Sequence, residues 1–205
     1  ASEAERAARS ALLSQRHVRG LAKLVGRIPA AKGPGYEVPN FDPLDGGVDA
    51  KVLFLLEAPG PKALASGFIS RNNPDETAKN FFLLNAEAGI DRRQTTTWNA
   101  VPWYIGSGNK IRPAKREDVR EADEWLAELL GTLHHLRFVV FVGQKALHAQ
   151  CVVRDSRPDV DVIAMPHPSP MFINRASGNR HRILAVLQEL SARLRHSESQ
   201  PTRHQ

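Results

Sequence analysis

The chain has 205 residues, 41% of them hydrophobic, which suits one domain with a substantial core and excludes global disorder. Its 28 basic and 22 acidic side chains leave a formal charge of +6, which fits a polyanionic partner such as nucleic acid and equally a merely basic surface. No apolar stretch could span a bilayer and no hydrophobic leader is present, so a soluble, cytoplasmic protein is expected. The lone Cys151 points to a reducing compartment and excludes an internal disulfide and any four-cysteine zinc or iron–sulfur site within one chain.

In chain order, Ser2 and Glu5 have capping-box spacing ahead of an amphipathic helix. Its apolar face is Leu21, Leu24, Val25 and Ile28. Arg6, Arg9, Arg16, Arg19, Lys23 and Arg27 make the remaining surface basic, as a solvated face or a phosphate-facing one. Pro29 is expected to end the helix, and residues 32–49, rich in Gly, Pro and Asp, read as an irregular lead-in. Val52 to Leu56 is an unbroken apolar run, as a parallel strand buried on both faces requires. Glu57 breaks it, and Pro59, Gly60 and Pro61 predict a rigid loop without helix, followed by irregular chain over 63–74. Asp75 can cap a helix running to Gly89. Thr95 to Ala100 is β-rich and predicts a strand ending at Asn99, followed by a loop over 101–113 that carries Trp103 and Tyr104.

A long helix is expected from Arg116 to His134, with Val119, Ala122, Leu126, Leu129, Leu130 and Leu133 on one side. Phe138 to Val142 reads as another buried strand, closed by Gly143 and followed by a short helix from Gln144. Asp161 to Ala164 is a shorter strand leading into Met165-Pro166-His167-Pro168-Ser169-Pro170. Ile183, Val186, Leu187, Leu190 and Leu194 place a final helix. Residues 1–195 then form a single domain, and the polar stretch 196–205 a disordered tail.

Strands alternating with helices predict an α/β fold with a mainly parallel sheet. Right-handed crossovers gather the strand ends that carry Glu57, Asn99, Gly143 and His167 on one edge. Neither GxGxxG, the P-loop nor the Gly-x-Ser-x-Gly nucleophile elbow occurs, so dinucleotide, NTP and α/β-hydrolase chemistry lack support. A lone loop histidine would ordinarily be a satisfied buried one. Three prolines around His167 and Ser169 argue instead for a backbone held rigid to pre-position a side chain.

Glu57-Ala58-Pro59-Gly60, then Asn99 at a strand end, then His167-Pro168-Ser169-Pro170 resemble the motifs of the uracil-DNA glycosylase superfamily, over roughly residues 51–182. The resemblance implies a three-layer αβα fold with a central four-stranded, mainly parallel sheet. It also implies the flipping of uracil out of single- or double-stranded DNA and hydrolysis of its N-glycosidic bond, starting base excision repair. Asn99 would read O4 and N3–H of uracil, beside Ala58 and Gly60 of the first motif. His167 would donate to uracil O2 and stabilise the departing anion. Because Ala58 stands where the classical branch has a water-activating aspartate, either Glu57 is the general base or a loosely held water traps the cation while Glu57 acts structurally. Phe68 is either the base-stacking aromatic or an ordinary core residue. Pro168, Ser169 and Pro170 would grip the flanking phosphates. Met171 either wedges into the base stack or packs with Phe172 on the last helix. Arg175, Arg180 and Arg182, with His181, meet phosphate or form a solvated face. Relatives with Glu-Ala-Pro-Gly hold an iron–sulfur cluster on four cysteines; with Cys151 alone, no metal and no other cofactor are expected. Uracil-containing DNA is the expected partner, with no membrane, and a monomer is the expected state. A uracil-DNA binding protein with little turnover is the alternative.

Overall fold

A run that is apolar at every position from Val52 to Leu56 cannot lie on a sheet surface; both of its faces must be covered. The computed structural model describes residues 3–108 and 110–198. The elements are α1 (Glu3–Ala11), α2 (Arg16–Lys32), β1 (Asn40–Phe41), β2 (Val52–Leu56), α3 (Pro61–Ser66), β3 (Phe68–Ile69), α4 (Glu76–Glu87), β4 (Thr95–Asn99), β5 (Gly106–Ser107) and β6 (Lys110–Ile111). There follow α5 (Arg116–Thr132), β7 (Phe138–Val142), α6 (Gln150–Ser156), β8 (Asp161–Met165), α7 (Pro170–Ile173) and α8 (Asn179–Glu198).

The central sheet has the order β4-β2-β7-β8, and all of its pairings are parallel. Side-chain alternation divides it between two cores. Leu53, Leu55, Val139 and Phe141 pack with α2 and α5 on one face, where Phe41 stacks on Trp98 at 3.9 Å between ring centroids. Val52, Phe54, Val140 and Val142 pack with α4 and α8 on the other. Full burial of each such side chain stabilises by roughly 1.5–3 kcal/mol. The result is the expected three-layer αβα architecture. Because β2 is followed by α4 on one face and its neighbour β4 by α5 on the other, the connections diverge at the tips of β2 and β4, where such sheets open a crevice.

Several local expectations are corrected. Ser2 of the expected capping box lies outside the described residues. The N-terminal helix is two helices, separated at Gln15, whose backbone is extended. Pro29 does not end α2. It lies in the last turn, where it forfeits one intrahelical bond, and the helix closes when Gly33 N–H donates to Pro29 O at 2.9 Å. Pro61 does not forbid a helix but starts α3 at its first position, where a missing N–H costs nothing. The stretch 63–74 also contains β3, paired in parallel with β1 from the supposedly irregular lead-in. The loop 101–113 holds the β5–β6 pair. The helix expected from Gln144 begins as a tight turn at Ala146 before α6. The last helix continues to Glu198, past the expected end at 195, and 199–205 lie outside the described residues.

Much of the basic N-terminal surface is bound internally. Arg16 pairs with Asp49 at 2.9 Å, Arg27 grips both oxygens of Glu128, and Arg6 donates to Ala65 O at 3.0 Å. These arginines fasten the first two helices to the body rather than presenting a uniformly free face.

Candidate functional site

The strand tips are tied together by backbone bonds. The parallel register sets Asn99 beside Leu56, and Ala100 and Val101 N–H donate to Leu56 O and Glu57 O at 2.7 and 3.0 Å. Glu57 Oε1 accepts from Ala114 N–H at 2.6 Å, fixing the first motif to the approach of α5. On the other side Gly143 N–H donates to Met165 O at 2.8 Å, and Asn80 Nδ2 of α4 donates to Pro168 O at 3.1 Å. Gly143 has φ 88°, and a Cβ there would stand 3.2 Å from that of His167, so only glycine lets the histidine loop lie against β7.

These contacts enclose a cavity of about 420 Å³ at the carboxyl ends of β2 and β4. Glu57, Ala58, Gly60, Asn99, His167 and Pro168 all line it, so the two motifs and the asparagine share one space. Asn99 is 2% exposed, and its Nδ2 has no hydrogen-bond partner. That is an amide donor prepared for a carbonyl oxygen. Burial lowers the pKa of half-buried His167 below its ordinary 6.5, against the opposing pull of the Glu57 and Asp75 carboxylates. Near neutral pH the ring is uncharged, with one nitrogen donating and the other accepting. A second cavity, of about 410 Å³, lies on the other flank of His167 and is lined by Gln144, Phe172 and Arg182.

Phe68 is not brought to the site. It is 2% exposed in β3 beneath the Arg9 guanidinium, 5.4 Å from its ring centroid, and does not line the cavity. The aromatic ring that does line it is Phe81 of α4, held edge-on by Phe54 at 4.9 Å. Met171 is 83% exposed, which excludes packing on the last helix, whereas Phe172 does pack there, under Arg182 at 5.8 Å. Ser169 caps α7, its Oγ accepting from Phe172 N–H at 3.3 Å, and Pro170 occupies the first helical position. Arg175 is exposed, Arg182 bonds Asn179 Oδ1 at 3.3 Å, and Arg180 is paired with the Glu87 carboxylate.

Sequence reasoning missed Asp75, Phe81, Thr97, Asn73 and Arg71, all of which line the cavity. Asp75 was legible only as a helix cap, which it is, accepting from Ala78 N–H at 2.9 Å. Thr97 was within reach, since it precedes Asn99 by one strand period and must share its face. Behind this wall stands a buried ionic group. Arg92 bonds Asp45 at 2.6 Å and Asp42 at 2.7 Å, Arg71 bonds Thr95 Oγ1 at 2.6 Å, and Ser70 bonds Asp42. Burial pushes Asp45 up to about 6 despite the attraction of Arg71 and Arg92.

A four-cysteine cluster does not fit this chain. Cys151 is the sole cysteine and lies exposed on α6, and among the described residues no three His, Cys, Asp or Glu side chains are grouped to hold a metal ion. Nor is any described helix long and apolar enough to cross a membrane.

No curated protein matches the chain. Among solved structures, it resembles the solution structure of a candidate uracil DNA glycosylase from Methanosarcina acetivorans, with a TM-score of 0.50 over 72% of this chain and 93% of that one. At 16% identity that likeness concerns the fold alone. The sequence profile of the Uracil DNA glycosylase superfamily matches residues 43–191, which take in β2, β4, β7, β8 and every loop of the cavity. The chain therefore belongs to the uracil-DNA glycosylase superfamily.

Proposed function

We propose that this chain excises uracil from DNA as a monofunctional glycosylase, acting as a monomer on DNA inside the cell and opening base excision repair. The observation that carries the reading is the unpaired, buried Asn99 Nδ2 in one cavity with His167. A base in a duplex is out of reach, so the nucleotide is flipped into the cavity. Asn99 Nδ2 donates to uracil O4 and its carboxamide oxygen accepts N3–H. Cytosine offers the reverse pattern and leaves both groups unpaired. Phe81 replaces Phe68 as the ring against which the base stacks.

As the bond from N1 to C1′ breaks, its electron pair leaves with the base and positive charge develops on the sugar. The uncharged His167 ring donates a hydrogen bond to O2, where the negative charge gathers. Water adds to C1′ and loses a proton, yielding an abasic sugar and neutral uracil. Glu57 takes the general-base role, and its charge with that of Asp75 stabilises the sugar cation. Ser169 offers its N–H and O–H to a flanking phosphate and is held in place by Pro168 and Pro170, Met171 fills the gap in the stack, and Arg175 and Arg182 meet phosphate. Arg180 joins them only on leaving Glu87.

A second reading, a uracil-DNA binding protein with little turnover, draws support from Ala58 in the motif and from the tie between Glu57 and Ala114. One labelled oligonucleotide with a single uracil, beside a thymine control, separates the two. Scission at uracil only after alkali is the expected result. A gel shift without scission would make the chain a uracil-DNA reader, and neither would refute both readings.

A further inference from the structure

The ionic group behind the cavity wall does not balance its own charge. Asp42 takes Arg92 at 2.7 Å and Arg9 at 3.7 Å, while Asp45 takes Arg92 at 2.6 Å and Arg71 at 3.9 Å. Three guanidinium ions thus share two buried carboxylates, which leaves an excess of one positive charge. Arg93 adds to it, reaching the backbone carbonyl of Asp45 at 3.3 Å.

The excess is least compensated at Arg71. Among the described residues its ion pair is with Asp45 alone, and Arg92 holds that carboxylate more closely. The Arg71 side chain is 2% exposed, and arginine keeps its proton in proteins, so a full charge is buried there. Its Nη2 donates at 2.6 Å to Oγ1 of Thr95, which lies four residues before Asn99, about 13 Å away at the usual strand rise. Arg71 nevertheless lines the cavity, and its guanidinium stands 5.3 Å from the centroid of the Phe81 ring. The charge therefore sits at the inner end. Its neighbours on the cavity wall, Thr97 and Asn73, are buried and neutral, with Thr97 Oγ1 and Asn73 Oδ1 unpartnered, so little water screens it. The outer end has the opposite sign. Glu57 and Asp75 line the cavity too, and both pull on His167 beside the strand tips. The cavity is polarised along its depth, negative at the tips and positive within.

Cleavage of the glycosidic bond separates charge along that line. The sugar at the tips becomes positive, and the negative charge of the base spreads from N1 over O2 and over O4, the atom that points inward at Asn99. We propose that Arg71 stabilises the departing uracil anion by its charge from the inner end of the cavity, with Asp42, Asp45 and Arg92 holding it in place. Asp45 then has two opposed effects, since it anchors Arg71 and also weakens its field. This inference rests on the base-excision reading above and deepens it.

The two partners of a merely structural ion pair should fail alike, whereas a source of field and its counter-ion should act with opposite signs. Single-turnover excision is measured on a single-stranded oligonucleotide with one uracil, at saturating protein and pH 8, where Asp45, raised to about 6, is ionised. Arg71→Met is expected to slow excision on the order of tenfold, Arg71→Lys to restore most of that loss, and Asp45→Asn to quicken excision about threefold. The protein concentration needed for half-saturation should change little. Free uracil gives a readout without turnover: by ultraviolet absorbance, bound uracil should lose its N1 proton at lower pH on the wild type than on Arg71→Met. Slower excision in both Arg71→Met and Asp45→Asn, or an unchanged rate in Arg71→Met, would overturn the inference and leave the uracil reading standing. If Arg71→Met does not fold, the sign of the change in Asp45→Asn decides alone. No excision by the wild type would overturn both.

Discussion

Burial of His167 has an electrical consequence that is open to titration. The folded pKa lies below 6.5 because burial penalises the cation, with Glu57 and Asp75 pulling the other way. The sign follows: this histidine supports the fold above pH 6.5 and withdraws that support as pH falls through its lowered value. By NMR its midpoint should lie below 6.5, and Glu57→Gln, which removes one raising charge, should move it lower still. A midpoint above 6.5 would contradict a cavity that holds the ring uncharged. Asn99 admits a sharper chemical test. Asn99→Asp replaces the donor proposed to face O4 with a second acceptor, so uracil excision should drop on the order of 100-fold, with cytosine losing far less. Equal losses for both bases, measured on matched oligonucleotides, would remove Asn99 from base reading.

At the level of elements, α7 carries the proposed wedge: proline at its first position and the Ser169 cap stiffen a single turn that presents Met171 to solvent. Met171→Ala should lower excision from duplex DNA about tenfold while leaving single-stranded substrate nearly unaffected, because only a duplex has a stack to fill. Equal effects on both substrates would remove the wedge. The main strands and long helices were legible because their signal is local: continuous apolar runs for β2 and β7, and apolar residues at helical spacing for α2, α5 and α8. The short elements were not. β1 and β3 exist through pairing with each other across a long stretch of chain, which no window of sequence contains. Pro61 was misjudged differently: proline signals the start of a helix as well as its end, and neighbours alone do not decide which. The site divides in the same way. Glu57, Asn99 and His167 stood out by motif, whereas Phe81 and Arg71 reach the cavity only through the packing of α4 and of the chain after β3.

Across the whole molecule, a two-sided sheet with a shared central layer should unfold in one cooperative transition. Its pH dependence carries a mark of the ionic group behind the cavity. Asp45 is raised to about 6 in the fold, so the native state takes up a proton that the unfolded chain does not between the two pKa values. This contribution is present at low pH and disappears as pH rises through about 6, opposite in sign to that of His167. Relative to Asp45→Asn, the wild type should gain about 1 kcal/mol of unfolding free energy between pH 7 and pH 5, measured by denaturant titration. A flat difference would show Asp45 ionised throughout. The unpaired atoms of the cavity also bear on how the protein leaves its product. Groups that lose hydration on folding and regain partners only from a base make free pyrimidine a ligand in its own right. Millimolar uracil should therefore raise the melting temperature of the wild type and not that of Asn99→Asp, and the released base should act as a competitive brake on turnover.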